Sequence, residues 1–220
     1  MIVAIDGPAA SGKSTTAQGV AKKLGFLYLD TGAMYRAVTL AVLEAGVKPS
    51  DEAGVETVLG EVTLSFELED LSTQILLNAK DVSGPIRGLE VTRNVSAVSA
   101  LLVVREKMVA IQRQIGGGQD SVVEGRDIGT VVFPRAEFKF YVTADYETRA
   151  ARRQWDLKQL GIERSLQVIV EDLKRRDIKD SQREHSPLTK PEDAIEIDTT
   201  KLTIQEQINT IVDSVKSESE

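Results

Sequence analysis

Nine consecutive residues carry the clearest chemistry in the chain. Gly7, Pro8, Ala9, Ala10, Ser11, Gly12, Lys13 and Ser14 fit the pattern G-x-x-x-x-G-K-S/T, and Thr15 follows directly. Glycines let such a backbone curl so that successive N–H groups converge on phosphate oxygens, and a helix opening at the end of the loop adds its positive dipole. In this arrangement Lys13 reaches the β- and γ-phosphates of a nucleoside triphosphate and Ser14 is the ligand for Mg2+. The loop leaves the reaction open, because switches, motors and small-molecule kinases share it. The chain has neither the N-K-x-D element of guanine-selective switches nor a dinucleotide-binding G-x-G-x-x-G.

A second concentration of chemistry is cationic. Nine of the fourteen arginines, Arg126, Arg135, Arg149, Arg152, Arg153, Arg164, Arg175, Arg176 and Arg183, fall between positions 126 and 183. The chain as a whole is acidic, with 27 Lys plus Arg against 34 Asp plus Glu and a net charge of −7 over 220 residues. That balance argues against general nucleic-acid binding, so an anionic ligand must meet a local cluster. There is no cysteine, which excludes disulfides, a thiolate nucleophile and Cys-ligated metals, and the single histidine, His185, excludes multi-His metal sites. No apolar run approaches the roughly 20 residues of a membrane helix, and the first residues lack the basic start of a signal peptide. A cytoplasmic protein with no membrane partner is expected.

The elements that must position these residues follow from periodicity. I-V-A-I-D at 2 to 6 reads as a buried strand, followed by the loop and a helix closing near Gly25. F-L-Y-L at 26 to 29 is a second strand, and Met34 to Leu43 has helical spacing, so the alternation predicts a parallel sheet. V-T-L-S-F-E-L at 62 to 68 alternates with period two and can pair with Q-I-L-L at 74 to 77 as a small antiparallel insert. Leu89 to Ile115 reads as two helices. S-V-V-E at 121 to 124, F-K-F-Y-V at 138 to 142 and A-I-E-I-D at 194 to 198 read as strands. Tyr146 to Leu160, Leu166 to Asp180 and Thr203 to Val215 read as helices. Trp155 is expected in lid or core packing. No coiled-coil heptad stands out, so a monomer is expected.

On spacing alone the remaining candidates are ambiguous. Tyr35 and Arg36 could face a ligand or solvate a helix start. Arg126 and Asp127 could be a surface pair or sit at the ligand-binding edge of the sheet. Arg176, Asp180 and Arg183, at i, i+4 and i+7, share a helical face and could form a salt-bridge ladder or meet one ligand. Arg149, Arg152 and Arg153 likewise share a face.

Four further segments decide between these readings by resemblance. D-T-G-A-M-Y-R at 30 to 36, D-V-S-G-P-I-R at 81 to 87, E-G-R-D-I-G-T-V-V-F-P at 124 to 134 and R-R-D-I-K-D-S-Q-R at 175 to 183 resemble the bacterial cytidylate kinase family, within the P-loop nucleoside monophosphate kinases. The resemblance runs in order from the P-loop to I-D-T-T-K-L-T at 197 to 203. It implies a three-layer α/β/α P-loop kinase with a parallel core sheet. The core would hold 1–60 and 116–220, a nucleoside-monophosphate-binding insert about 61–115, and a helical lid about 149–164. It also implies transfer of the ATP γ-phosphoryl to CMP or dCMP with Mg2+. ATP would lie on Gly7 to Thr15, and Thr31, Tyr35, Arg36, Arg126 and Arg183 would contact the monophosphate. Ser96, Arg105 and Asp127 would read cytosine, with Asp127 accepting from the N4 amino group, a pairing that suits a carboxylate. Arg176 and Asp180 would contact the sugar. Lys13, Arg126, Arg149, Arg153 and Arg183 would surround the transferring group. Thr31 stands where family members often carry Ser, and Ile178 and Lys179 depart from relatives with Asp and Arg. A UMP, dTMP, AMP or shikimate acceptor is the alternative reading.

Overall fold

In the computed structural model, residues 1–69, 72–159 and 161–217 are described. The parts of the expected insert, lid and core that fall on 70–71, 160 and 218–220 lie outside them. A five-stranded, all-parallel sheet runs in the order β2 (Leu27–Asp30), β6 (Ser121–Gly125), β1 (Ile2–Asp6), β7 (Phe138–Thr143), β8 (Ile195–Asp198). Strand β1 is central, so the loop leaving it sits between the ends of β6 and β7, the ligand-binding edge of an open α/β sheet.

Both faces of this sheet are covered, which is why its strands read as near-continuous apolar runs. Helices α1 (Lys13–Leu24) and α8 (Ile204–Ser217) pack Val20, Ala21, Ile208, Ile211 and Val215 against Val3, Ile5 and Phe140. On the opposite face α2 (Thr31–Glu44), α3 (Glu52–Glu61), α4 (Leu89–Val98) and α5 (Leu102–Gly116) bring Met34, Val38, Val58, Val95 and Met108 onto Ala4, Leu29 and Val123. The architecture is the expected three-layer α/β/α.

A second, antiparallel sheet joins β3 (Leu64–Glu69), β4 (Ser72–Leu77) and the short β5 (Lys80–Asp81), in the register Leu64 opposite Leu77 and Leu77 opposite Lys80. Helices α6 (Tyr146–Gln159) and α7 (Leu166–Gln182) pack on one another, with Ala150, Leu157, Ile169 and Leu173 forming a small apolar cluster that also includes Ala9 of the P-loop.

Three local features differ from the periodicity reading. Helix α2 begins at Thr31 rather than near Met34, because the Asp30 side chain accepts from Ala33 N at 2.9 Å and caps the turn directly after the strand. Helix α3 has no counterpart among the expected elements. Its glycines, Gly54 and Gly60, lower propensity, but Asp51 caps it at Gly54 N and Val55, Val58 and Leu59 bury one face. Trp155 is 65% exposed on α6 rather than packed in a core.

Candidate active site

The P-loop is shaped by three left-handed residues, Gly7 at φ 153°, Ala10 at 60° and Gly12 at 91°. A Cβ on Gly7 would lie 2.1 Å from the Val142 carbonyl oxygen, so only glycine lets the loop pass the end of β7. Gly12 opens α1 without any side-chain cap, leaving the first-turn N–H groups available to an anion.

The loop forms one end of a cleft of about 1030 Å3 whose walls come from β2, β6, α2, α4, α6 and α7. Lys13 is buried at the floor, with Nζ 3.5 Å from Pro8 O and 3.8 Å from Glu124 Oε2. Burial and the neighbouring Arg126 push the Lys13 ammonium well below the ordinary lysine range, against the pull of Glu124. Ser14 Oγ donates to Glu124 Oε2 at 2.8 Å, and the Tyr28 hydroxyl donates to the other carboxylate oxygen. Burial, reinforced by Asp30, raises the Glu124 carboxyl above its usual range. A hydroxyl and a buried carboxylate present hard oxygen atoms of the kind that Mg2+ takes. Glu124 stands at the end of the strand beside β1, within the E-G-R-D segment, yet spacing alone gave it no role; its position across 110 residues from Ser14 is what reveals it.

The middle of the cleft is a wall of guanidinium groups. Arg36, Arg87, Arg126, Arg153 and Arg176 all line it. Burial first, and then repulsion from Arg126, Arg36 and Arg153, pushes Arg176 down to about 9, and the Asp180 carboxylate only partly offsets this. Arg36 is pushed down to about 10, chiefly by burial and by Arg153, Arg126 and Arg87, against the pull of Asp30. Arginines that destabilise one another's charge make a site that an anion stabilises. Arg126 Nε donates to Asp180 Oδ2 at 3.1 Å, and Arg176 Nε stands 3.9 Å from the same oxygen with no hydrogen bond. Arg36 Nη1 donates to Thr92 Oγ1 at 3.0 Å. Thr31 lines the wall with its hydroxyl donated to Glu124 O at 2.7 Å.

At the far end, Asp127 is 3% exposed and sits between two arginines. Arg105 Nη2 donates to its Oδ2, and Arg183 Nη2 to its Oδ1 at 3.2 Å. Arg105 also donates through Nη1 to Ser99 O at 3.1 Å and lies 5.3 Å from the centroid of the Tyr35 ring. Ser96 and Ser99 both face the cleft. Arg183 caps α7 rather than continuing it, yet reaches the same pocket as Arg176 and Asp180.

The three arginines of α6 separate. Arg149, 3% exposed, is clamped by a bidentate pair to Asp177 at 2.7 and 2.9 Å and donates through Nε to Ala9 O at 2.7 Å, beneath the P-loop and outside the cleft lining. Arg152 donates to Thr199 Oγ1 and O at 3.0 and 2.9 Å. Arg153 projects into the cleft beside Arg36 and Arg176. Asp177, which holds Arg149, was not among the expected residues.

The family model described as cytidylate kinase matches residues 3–217. The chain belongs to the cytidylate kinase family. It is 48% identical to the cytidylate kinase of Lactobacillus johnsonii, covering 98% of this chain and 94% of that one. It is also 48% identical to the cytidylate kinase of Halalkalibacterium halodurans, covering 98% and 97%. Among solved structures, an uncharacterised protein from Eubacterium ventriosum aligns over 99% of both chains with TM-score 0.50 and 11% identity, a likeness of fold alone. Among the described residues no helix is long and apolar enough to cross a membrane.

The hydrogen bond from Ser14 gives Glu124 a testable place. Glu124→Gln is expected to raise the Mg2+ concentration at half-maximal activity by about 10- to 100-fold, the usual cost of disturbing groups around a metal. Titrating activity against Mg2+ checks this, and an unchanged midpoint would remove Glu124 from the metal.

Proposed function

We propose that the chain transfers the γ-phosphoryl group of ATP to the 5′-phosphate of CMP or dCMP, giving ADP and CDP or dCDP. The observation that carries this reading is a single cleft lined by a P-loop, a wall of mutually repelling guanidinium groups and a buried Asp127. A phosphate oxygen of the acceptor attacks the γ-phosphorus in line, and the bond to the bridging oxygen of ADP breaks. The acceptor is already an anion, so no general base is needed; the work is alignment and neutralisation of two polyanions.

The roles follow position in the cleft. Gly7 to Thr15 hold ATP, and Lys13 meets its β- and γ-phosphates. Ser14 and Glu124 would hold Mg2+, which supplies charge neutralisation between those phosphates. Arg36, Arg126, Arg153 and Arg183, with the Thr31 hydroxyl and Tyr35, serve the acceptor phosphate and the transferring group. Arg149 supports the P-loop from beneath. Arg176 and Asp180 meet the sugar. Asp127, aimed by Arg105, accepts from the cytosine amino group with Ser96 nearby, and the carbonyl of uracil at that place would be repelled. The division into core 1–60 and 116–220, insert 61–115 and lid 149–164 is part of the same reading. A monomeric enzyme is part of the same reading.

A panel of nucleoside monophosphates with ATP and Mg2+ tests the reading. CMP and dCMP are expected to exceed UMP, AMP and dTMP in kcat/KM by about 100-fold or more, the discrimination open to a site that hydrogen-bonds its substrate. Preference for another acceptor would overturn it.

A further inference from the structure

Asp127 occupies the position just before a π-helical turn, Ile128–Val132, where an aspartate ordinarily folds its carboxylate back onto the first N–H groups of the turn. Here it makes no such bond, and its backbone, at φ −146° and ψ 26°, is neither helical nor extended. Another carboxylate has taken the donors. Asp6 Oδ1 accepts from Ile128 N at 2.8 Å and Asp6 Oδ2 from Gly129 N at 2.8 Å, across more than 120 residues of sequence. Asp6 is 1% exposed and is absent from the lining of the cleft.

We propose that Asp6 is the positioning residue for base selection, capping the 128–132 turn in place of Asp127 so that both Asp127 oxygens stay turned toward Arg105, Arg183 and the cleft. The proposal rests on Asp127 as the reader of cytosine. The turn lies directly against this carboxylate: a Cβ on Gly129 would come within 3.4 Å of Asp6 Oδ2 and 2.9 Å of Pro191 Cγ. Asp6 is also the last residue of β1, with Gly7 of the P-loop next in the chain, so one residue ties the ATP-binding loop to the base-reading turn. Burial, reinforced by Asp127, pushes the Asp6 carboxyl up to about 6, against the two N–H bonds and Arg126. A raised folded-state value means that stability falls as pH rises from the unfolded value through 6.

Asp6→Asn keeps the shape but can accept only one of the two N–H groups. It is expected to lower the preference for CMP over UMP by about 10- to 100-fold, the scale on which small misplacements act. The loss should lie in KM for CMP, with KM for ATP and the melting temperature near wild type. The experiment measures both acceptors with wild type, Asp6→Asn, Asp127→Ala and the double variant. Loss in both single variants, with the double no worse than Asp127→Ala, supports the proposal. Loss in Asp127→Ala with preference retained in Asp6→Asn overturns it while leaving the base-reading assignment standing. Preference retained in Asp127→Ala overturns the assignment and the proposal together. Should Asp6→Asn fail to fold, Gly129→Ala displaces the same turn from the other side, and retained preference there is equally fatal.

Discussion

Replacing Lys13 by alanine is expected to reduce phosphoryl transfer by about 10³-fold or more, the scale of losing a charge that stabilises the transferring group. The fold should survive. Lys13 sits on the floor of the cleft with its ammonium held below the ordinary range by burial and by Arg126, so its positive charge is a burden on the ligand-free protein. The sign follows: a lysine whose folded value is lowered makes the protein less stable wherever it remains charged, and truncation relieves that cost. Glu124 loses its nearest cation in the variant but keeps the Ser14 and Tyr28 hydroxyls. An assay coupled to ADP release, run beside thermal unfolding, separates the two effects. Activity near wild type in a folded Lys13→Ala protein would contradict the mechanism.

Asp127→Ala is expected to lower kcat/KM for CMP by about 10²- to 10⁴-fold, because a site built to accept one hydrogen bond is left with buried groups unpaired. KM for ATP should change little, since the side-chain partners of Asp127 are Arg105 and Arg183 and none belongs to the P-loop. Stability should also fall, by about 3 kcal/mol, because Arg105 and Arg183 lose their shared buried carboxylate. Burial and Arg105 already hold Arg183 below the usual arginine range. Kinetics with CMP and UMP at equal protein concentrations decide the point: a proportional loss for both acceptors would mean that Asp127 supports the fold without reading the base.

What the sequence disclosed was mostly local. The P-loop could be read because strand, loop and helix are contiguous, and their glycines have no cheap substitute at Gly7 against Val142. The strands of the core were legible from short apolar-rich stretches such as Ile2 to Ile5 and Phe138 to Val142, and α8 from its spacing of Ile208, Ile211 and Val215. Helix α3 was not, because Gly54 and Gly60 dilute a short pattern that a cap and tertiary burial rescue. The arginines could be named but not sorted. Arg149 and Arg153 are one turn apart, yet one is locked to Asp177 while the other faces the cleft, a difference set by α7 packing and by no local period. Glu124 against Ser14 and Asp6 against Ile128 join positions more than 100 apart, and only the parallel order β6–β1–β7 brings them together.

The two tethers at the start of α6 bear on how far this helix can travel. Arg149 is riveted to α7 and to the P-loop, and Arg152 to Thr199 beside β8. On the proposed lid reading, any movement of 149–164 over bound nucleotides would have to carry or break these contacts, because α6 is one continuous helix from Tyr146 to Gln159. Arg153 and the uncovered indole of Trp155 follow within one turn on the same helix, so the fluorescence of that single tryptophan would report such a movement.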